Sequence, residues 1–184
     1  MIRTALAAAL LVVAAATSAR PHEWAQPIES PALPNLHRVS ATIYRSAQPR
    51  DGAQDALSGL GIKSVISLRW SADDAKLLPD AQRIHAPIES WDVDHDEVMR
   101  ALKALIDPEN QPVLLHCRHG ADRTGTVIAA YRMIVEDWSA EDAIEEMREG
   151  GYNYHAVWTN MIRYLRKLDV AAARAELGRA TASP

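Results

Sequence analysis

The sequence predicts an α/β fold with a central, largely parallel sheet flanked by helices. Short apolar runs alternate with segments of helical length and periodicity, and helices alone follow toward the carboxyl end. Strands joined through helices run parallel, because each helix carries the chain back across the sheet. The 184 residues, 48% of them apolar and 24% charged, fit one globular domain.

The first residues predict an export signal. Residues 1–3 form a short basic start, and residues 4–16 are uncharged and rich in Ala, Leu and Val. Small residues follow, and we expect cleavage after Ala19, so that residues 1–19 form the signal peptide. An uncleaved anchor is the alternative, but the run is shorter than the roughly 20 apolar residues of a spanning helix. We therefore expect a periplasmic or secreted protein without a stable membrane anchor.

The first half of the mature chain contains the first strands of the sheet. Residues 20–37 hold four prolines and predict an extended lead-in to a domain that spans 38–175. The patterns then predict, in order, a strand at 42–46, a helix at 51–60, a strand at 63–68, a short helix at 72–78 and a weaker strand at 83–88. Pro87 limits that last strand to an edge or an end of the sheet.

The second half is mainly helical. The patterns predict, in order, a helix at 94–106, a turn at 107–110, a buried strand at 113–115, a helix through 126–134, a helix that Ser139 caps and that reaches Arg148, and a last helix at 155–174. Residues 176–184 are expected to form a carboxyl-terminal tail.

A decapeptide, His-Cys-Arg-His-Gly-Ala-Asp-Arg-Thr-Gly at 116–125, lies between the buried strand and a helix. It holds the single cysteine, Cys117, which excludes an internal disulfide, and Arg123 follows six positions later. A strand, a tight loop and a helix direct successive backbone N–H groups at one point, beside the positive end of the helix dipole. A thiolate in such an anion-binding loop predicts phosphate-ester chemistry through a cysteine nucleophile.

Each residue type in this loop meets one requirement of that chemistry. The guanidinium of Arg123 can bind two phosphate oxygens as a planar fork, and the hydroxyl of Thr124 can stabilise a departing thiolate. Gly120 permits a close approach of the backbone. The residues expected to bind the phosphate group are Arg118, His119, Gly120, Ala121, Asp122 and Arg123.

The decapeptide resembles the active-site loop of the cysteine-dependent protein tyrosine and dual-specificity phosphatases. The stretches 44–49, 67–69, 125–132 and 145–152 extend the likeness over most of residues 38–168, and they resemble a bacterial, often periplasmic, branch of the tyrosine phosphatases. The resemblance implies that Cys117 is the nucleophile, Arg123 the phosphate clamp and Thr124 the hydroxyl that assists hydrolysis. It also implies that His116 tunes and orients the cysteine.

The resemblance further implies a general acid, an aspartate that follows a strand upstream of the cysteine. Asp92 is the preferred candidate, because it follows the strand directly and stands beside Trp91. Asp94 and Asp96 are the alternatives, and we expect them to be an N-cap and a first-turn acid of the next helix.

These observations favour an exported phosphatase that acts on phosphotyrosine in proteins, with activity on phosphoserine or phosphothreonine left open. An inositol-phosphate phosphatase and a catalytically silent phosphate-binding module are the alternatives. In the loop the charge of Arg118 is offset by Asp122, which favours a singly phosphorylated target. The net charge of −4 and the lack of a Lys/Arg-rich run argue against nucleic-acid partners. We expect a monomer without cofactor or metal, since no metal-ligand spacing occurs.

Overall fold

The computed structural model describes residues 22–71, 74–75 and 78–181. The predicted signal at 1–19 lies outside these ranges, as do four residues of the predicted short helix at 72–78. Within that segment, the backbone N–H of Leu78 donates to the carbonyl of Asp74 at 2.9 Å. None of the helices in the described ranges is long and apolar enough to cross a membrane.

The described residues form one sheet of six strands. They are β1 (Gln26–Pro27), β2 (His37–Arg38), β3 (Ile43–Ser46), β4 (Ser64–Ser67), β5 (Gln82–His85) and β6 (Val113–His116). Their order across the sheet is β1-β2-β3-β6-β4-β5. The four strands from β3 to β5 are parallel, and only β1 and β2 pair antiparallel. The predicted, largely parallel sheet is confirmed, and β5 lies at its edge as the nearby proline indicated.

Six α-helices and one short 3₁₀ helix occur in the described ranges. The α-helices are α1 (Ala53–Gly59), α2 (His95–Ile106), α3 (Asp122–Val135), α4 (Ala140–Glu149), α5 (Thr159–Lys167) and α6 (Val170–Thr181). The 3₁₀ helix, Pro108–Asn110, occupies the predicted turn. Ser139 caps α4, as predicted, and accepts a hydrogen bond from the backbone N–H of Asp142.

The two faces of the sheet are covered separately. Leu114 faces α1 and packs with Leu57, whereas its neighbours Val113 and Leu115 face the cluster that includes α2 to α6. Successive side chains of a strand point to opposite faces, so β6 is buried on both sides. The continuous apolar run of β6 in the sequence reflects this double burial.

The last predicted helix, 155–174, is wrong in its extent, because the structure has two helices there. Leu168 adopts an extended conformation, with φ −62° and ψ 120°, and ends α5. The carboxylate of Asp169 then accepts the backbone N–H of Ala172 at 2.9 Å and begins α6 as an N-cap. α6 continues through Thr181 and buries Leu177, so the boundary predicted at 175 falls inside a helix.

The carboxyl ends of the central strands meet at one point. Ser46, at the end of β3, and Ser67, at the end of β4, both lie opposite His116, the last residue of β6. The chain turns from there into α3, a helix buried on nearly all sides. Open α/β sheets place their binding sites at this edge.

Candidate active site

The segment 117–121, here called the cysteine loop, joins β6 to α3. Cys117 is only 2% exposed at its start. Gly120 has a φ of 69°, a conformation that strains other residues. A Cβ atom there would lie 2.5 Å from the carbonyl of Ser46. Glycine is therefore required at position 120 because the cysteine loop packs directly on the end of β3. The sequence analysis had given a different reason, the close approach of the loop backbone to a phosphate group.

Three consecutive carbonyls of the cysteine loop accept hydrogen bonds from residues 35–48. The bonds are Gln48 N to Arg118 O at 3.2 Å, Asn35 Nδ2 to His119 O at 3.0 Å, and Arg45 Nη2 to Gly120 O at 2.8 Å. A trans peptide directs its C=O and N–H in opposite directions, so the amides of residues 119–121 face away from that segment. In the described part of the chain these amides have no backbone acceptor. They are available to bind an anion.

Arg45 lies on the side of the cysteine loop opposite to these amides. Its side chain is 1% exposed, and its guanidinium carbon is 3.7 Å from the ring centroid of Tyr152. Burial lowers the pKa of Arg45, while the nearby Tyr152, Glu146 and Cys117 act in the opposite direction. A buried cation is thus used to hold backbone carbonyls in place.

The first turn of α3 supplies two of the predicted catalytic side chains. The guanidinium of Arg123 is half-buried and donates to the carbonyl of Leu68 at 3.2 Å, which fixes its position at the end of β4. Thr124 is fully buried, and its hydroxyl has no hydrogen-bond partner among the described residues. Buried polar groups without a partner are uncommon, so this hydroxyl is available to a reacting group.

His116 is the buried end of a chain of polar contacts that continues through half-buried residues. Its Nε2 lies 3.1 Å from Oδ2 of Asp74, and its Nδ1 lies 3.3 Å from the carbonyl oxygen of Cys117. The amide of Gln48 donates to the other oxygen of Asp74 and accepts from Arg69 at 2.6 Å. Both ring nitrogens of His116 therefore face oxygen acceptors, which fixes the ring beside Cys117.

The carboxyl group of Asp74 is ionised in this arrangement. Burial alone would raise the pKa of Asp74, but hydrogen bonds from His116 and Gln48 and the charge of Arg69 hold it below its ordinary value of 3.8. An ionised Asp74 accepts hydrogen bonds from both neighbours.

A cavity of about 360 Å³ opens above the cysteine loop. Its walls are formed by Ser90, Arg118, His119, Asp122, Arg123, His155, Val157 and Trp158. Most of the residues predicted to bind phosphate therefore lie at one opening, together with the segment before α5.

Asp122 contacts His155 at this opening. Oδ1 of Asp122 accepts the backbone N–H of His155 at 2.9 Å, and Oδ2 lies 2.9 Å from the Nδ1 of His155. Asp122 therefore pairs with His155. The sequence analysis had assumed that it offsets the charge of Arg118, and that assumption is wrong. Within the described residues the exposed side chain of Arg118 makes no hydrogen bond or ion pair. His119 completes the group, its ring centroid 5.3 Å from that of His155.

Asp92 lies outside this cavity. Its exposed side chain lines a separate groove of about 510 Å³ against α5 and α6, whereas Ser90 contributes to the cavity over the cysteine loop. The carbonyl of Ser90 accepts a hydrogen bond from Asn160 of α5 at 2.9 Å, which holds this segment in place.

The alternative acids, Asp94 and Asp96, have the structural positions that the sequence predicted. The carboxylate of Asp94 caps α2 by accepting the backbone N–H groups of Asp96 at 2.8 Å and Glu97 at 3.2 Å. Asp96 is in the first turn of that helix. These predictions are confirmed.

The sequence interpretation missed two residues that support the site, Arg45 and Asp74, and explained a third, His155, by its position at the start of a helix, without a function. Arg45 is the one charged residue of β3, a short strand whose four residues are all buried. This pattern indicates a buried cation with a specific partner. Asp74 and His155 gave no comparable signal, because they lie in irregular segments.

A profile described as "Tyrosine phosphatase family" matches residues 32–156, which contain the cysteine loop and five of the six strands described above. The chain belongs to the tyrosine phosphatase family. It is therefore a phosphoric monoester hydrolase of the cysteine-dependent tyrosine and dual-specificity phosphatases, as the resemblance of its decapeptide indicated, rather than a catalytically silent module.

Individual relatives agree with this assignment. The dual specificity protein phosphatase TpbA of Pseudomonas aeruginosa strain UCBPP-PA14 is 36% identical over 174 residues, covering 92% of this chain and 79% of TpbA. A crystal structure of a Cys-to-Ser variant of P. aeruginosa TpbA in complex with phosphotyrosine matches with a TM-score of 0.77 and 34% identity, covering 87% of this chain and 99% of that one. The inositol diphosphatase DSP5 of Arabidopsis thaliana is 31% identical over 126 residues, covering 63% of this chain and 61% of DSP5.

Proposed function

We propose that this phosphatase hydrolyses phosphotyrosine in proteins through a phosphocysteine intermediate. The observation that carries the proposal is the set of three available amides in residues 119–121, whose carbonyls are held on the opposite side of the loop that begins with a buried cysteine. The complex of the relative TpbA with phosphotyrosine supports the choice of substrate.

In the first step the thiolate sulfur of Cys117 attacks phosphorus, an S–P bond forms, and the P–O bond to tyrosine breaks. The amides of residues 118–123 and the fork of Arg123 bind the three non-bridging oxygens, where negative charge must be stabilised. Asp92 donates its proton to the departing phenolate oxygen. This role requires residues 91–93 to move toward the cavity when substrate binds, while Ser90 stays bound to Asn160.

In the second step a water molecule attacks phosphorus, and the S–P bond breaks to release inorganic phosphate. Asp92, now ionised, accepts a proton from the water, and the hydroxyl of Thr124 donates a hydrogen bond to the departing sulfur. His116, fixed by Asp74, orients Cys117 in both steps.

The leaving group decides between substrates. The phenol of tyrosine has a pKa of about 10 and departs with less proton assistance than the alkoxide of serine or threonine. Because Asp92 lies outside the cavity before substrate binds, we expect phosphotyrosine to be preferred over phosphoserine and phosphothreonine.

The test is a panel assay under reducing conditions with phosphotyrosine, phosphothreonine and phosphoserine peptides, together with inositol hexakisphosphate. We expect phosphotyrosine to be the best substrate and Cys117→Ser to abolish turnover. Acid quenching during turnover should recover phosphate bound to Cys117. Failure to trap that adduct in a protein that still dephosphorylates would overturn the mechanism.

Inositol polyphosphates are the second candidate substrates. The unpaired, exposed side chain of Arg118 leaves a cation at the opening for a second phosphate group, and the relative DSP5 is an inositol diphosphatase. If Arg118 serves this purpose, Arg118→Ala will lower kcat/KM for inositol hexakisphosphate more than for a phosphotyrosine peptide. A preference of the unmodified protein for the inositol compound would reverse our ranking.

Export to the periplasm completes the proposal. Its support is the arrangement of residues 1–19, a basic start, an apolar stretch and small residues before Arg20. Amino-terminal sequencing of the protein recovered from the cell envelope should begin at Arg20, and recovery of the intact amino terminus in the cytoplasm would contradict export.

A further inference from the structure

We propose that His119, Asp122 and His155 form a binding site for one divalent transition-metal ion of the Zn²⁺ class at the opening of the active-site cavity. One ring nitrogen of each histidine and one oxygen of Asp122 all lie within 4.8 Å of one another. Among the described residues this is the one group of three such side chains that is close enough to share an ion. The three come from the cysteine loop, the first turn of α3 and the segment before α5, so folding is needed to assemble them.

The contact between Asp122 and His155 already has nearly the right length. Zinc bonds to nitrogen and oxygen ligands of about 2.0–2.1 Å place two ligands of a tetrahedral ion about 3.3 Å apart. The Nδ1 of His155 is 2.9 Å from Oδ2 of Asp122. The two atoms need to separate by only a few tenths of an ångström, and the ion takes the place of the proton between them.

The carboxylate of Asp122 is held in one orientation. Its side chain is 10% exposed, and Oδ1 accepts the backbone N–H of His155 at 2.9 Å. Hydrogen bonds of this kind orient metal ligands and leave the other oxygen for the ion. The ring of His119 is exposed and free to rotate, while its carbonyl is anchored by Asn35 at 3.0 Å. The third ligand can therefore close the site without a change in the loop backbone.

The ligand set and its surroundings indicate which ions bind and how strongly. Two imidazoles favour Zn²⁺, Ni²⁺ or Cu²⁺ over Mg²⁺ and Ca²⁺, which prefer oxygen ligands. Three protein ligands leave a fourth position open toward the cavity. Arg118, Arg123 and the N-terminus of α3 oppose a cation, so we expect weaker binding than at a closed structural zinc site.

A bound ion at this opening inhibits the phosphatase. It draws His119 and His155 together across the entrance, and its open position can coordinate the phosphate product and delay release. This effect rests on the proposed function, whereas metal binding does not.

Metal binding is tested first in Cys117→Ser, which removes the thiolate as a competing ligand. Equilibrium dialysis against Zn²⁺ in excess Mg²⁺ should find about one ion per chain, bound tenfold or more weakly after His119→Ala or His155→Ala is added. The matched control is His95→Ala on α2, an exposed histidine that contacts Tyr164 and Glu176 and should leave binding unchanged. No bound zinc in Cys117→Ser, or equal binding after His155→Ala, would overturn the site.

Inhibition is then measured with intact Cys117, each variant being compared with its own metal-free rate. Zn²⁺ should inhibit the unmodified protein and His95→Ala, and should inhibit His155→Ala at tenfold or higher concentration. Binding of one Zn²⁺ ion per chain without inhibition of the phosphatase would contradict the proposed position of the ion at the entrance of the active-site cavity. Inactivity of the metal-free protein on phosphotyrosine would count against the proposed function and leave the binding result intact.

Discussion

The guanidinium of Arg45 donates to the carbonyl of Gly120 at 2.8 Å, across 75 residues of sequence. This bond lies on one side of the cysteine loop, and the amides available to phosphate lie on the other. A side chain that would not touch the substrate thus determines the direction of the groups that do. We regard Arg45 as a positioning residue.

Replacing Arg45 tests this role. In Arg45→Met the carbonyl of Gly120 loses its donor, and we expect kcat/KM to fall by about 10²-fold, as when one donor to a transition-state oxyanion is lost. Arg45→Lys keeps the charge but lacks the planar guanidinium, and its kcat/KM should lie between those of Arg45→Met and the unmodified protein. Affinity for inorganic phosphate should weaken in the same order. A folded Arg45→Met protein with unchanged kcat/KM and phosphate affinity would show that the loop keeps its shape without this bond.

Asp74→Asn should lower stability in a pH-dependent manner. The native pKa of Asp74 is below 3.8, so its ionised form stabilises the fold above that pH, and this contribution is lost as the pH falls through the native pKa. At pH 7 we expect a loss of about 1–2 kcal/mol in the free energy of unfolding. Urea unfolding from pH 7 downward should show the variant and the unmodified protein converging below pH 3.8.

Asp80→Asn is the matched control for Asp74, because Asp80 is exposed in the same region of the chain. It should leave the free energy of unfolding nearly unchanged at each pH. A constant difference between Asp74→Asn and the unmodified protein across the whole range would show that ionisation of Asp74 does not contribute.

Asp92 and Asp94 should separate catalysis from stability. Asp92→Asn removes the proposed proton donor and should lower kcat by about 10²–10⁴-fold without affecting unfolding. Asp94→Ala removes the cap of α2 and should cost about 1 kcal/mol of stability at normal kcat. Steady-state kinetics and thermal unfolding of both variants provide the comparison. A large loss of kcat in Asp94→Ala, with a nearly normal kcat in Asp92→Asn, would assign the general acid to Asp94.

Glu146→Gln should be strongly destabilising. Glu146 is 1% exposed, accepts from Arg132 Nε at 2.8 Å and Nη2 at 2.9 Å, and accepts from the hydroxyl of Tyr152 at 3.1 Å. Burial beside Glu146 raises the pKa of Tyr152, so this hydroxyl remains a donor. Removing the charge of Glu146 leaves Arg132 with one carboxylate partner, Glu136, in place of two, and we expect a loss of about 1.5–3 kcal/mol in the free energy of unfolding, measured with urea.

The control for Glu146 is the exposed ion pair between Glu141, which is also on α4, and Arg166 of α5. Glu141 accepts from Arg166 at 2.9 Å and 3.0 Å, but both side chains are in solvent. Glu141→Gln should therefore leave stability almost unchanged. Equal losses of unfolding free energy in the two variants would mean that the buried hydrogen bonds of Glu146 contribute no more to stability than the exposed ion pair of Glu141.

Local patterns identified most elements because each depends on residues near one another in sequence. The caps at Asp94 and Ser139 and the apolar run of β6 were predicted for this reason. The break between α5 and α6 was missed, since the apolar stripe continues through Leu168 while the carboxylate of Asp169 begins a new helix. A capping residue inside a periodic stretch competes with the helix that the stripe favours.

The sequence by itself determined that Cys117 and Arg123 lie close together where a buried strand is followed by a helix, because both residues belong to one stretch of ten consecutive residues. Only the tertiary structure decided which residues surround the loop. Arg45, Asp74 and His155 reach it through the register of β3 and β6 and the paths of two irregular segments. These contacts join residues that are 33 to 75 positions apart in the sequence. They depend on how the sheet and helices pack together, and no local pattern encodes that packing.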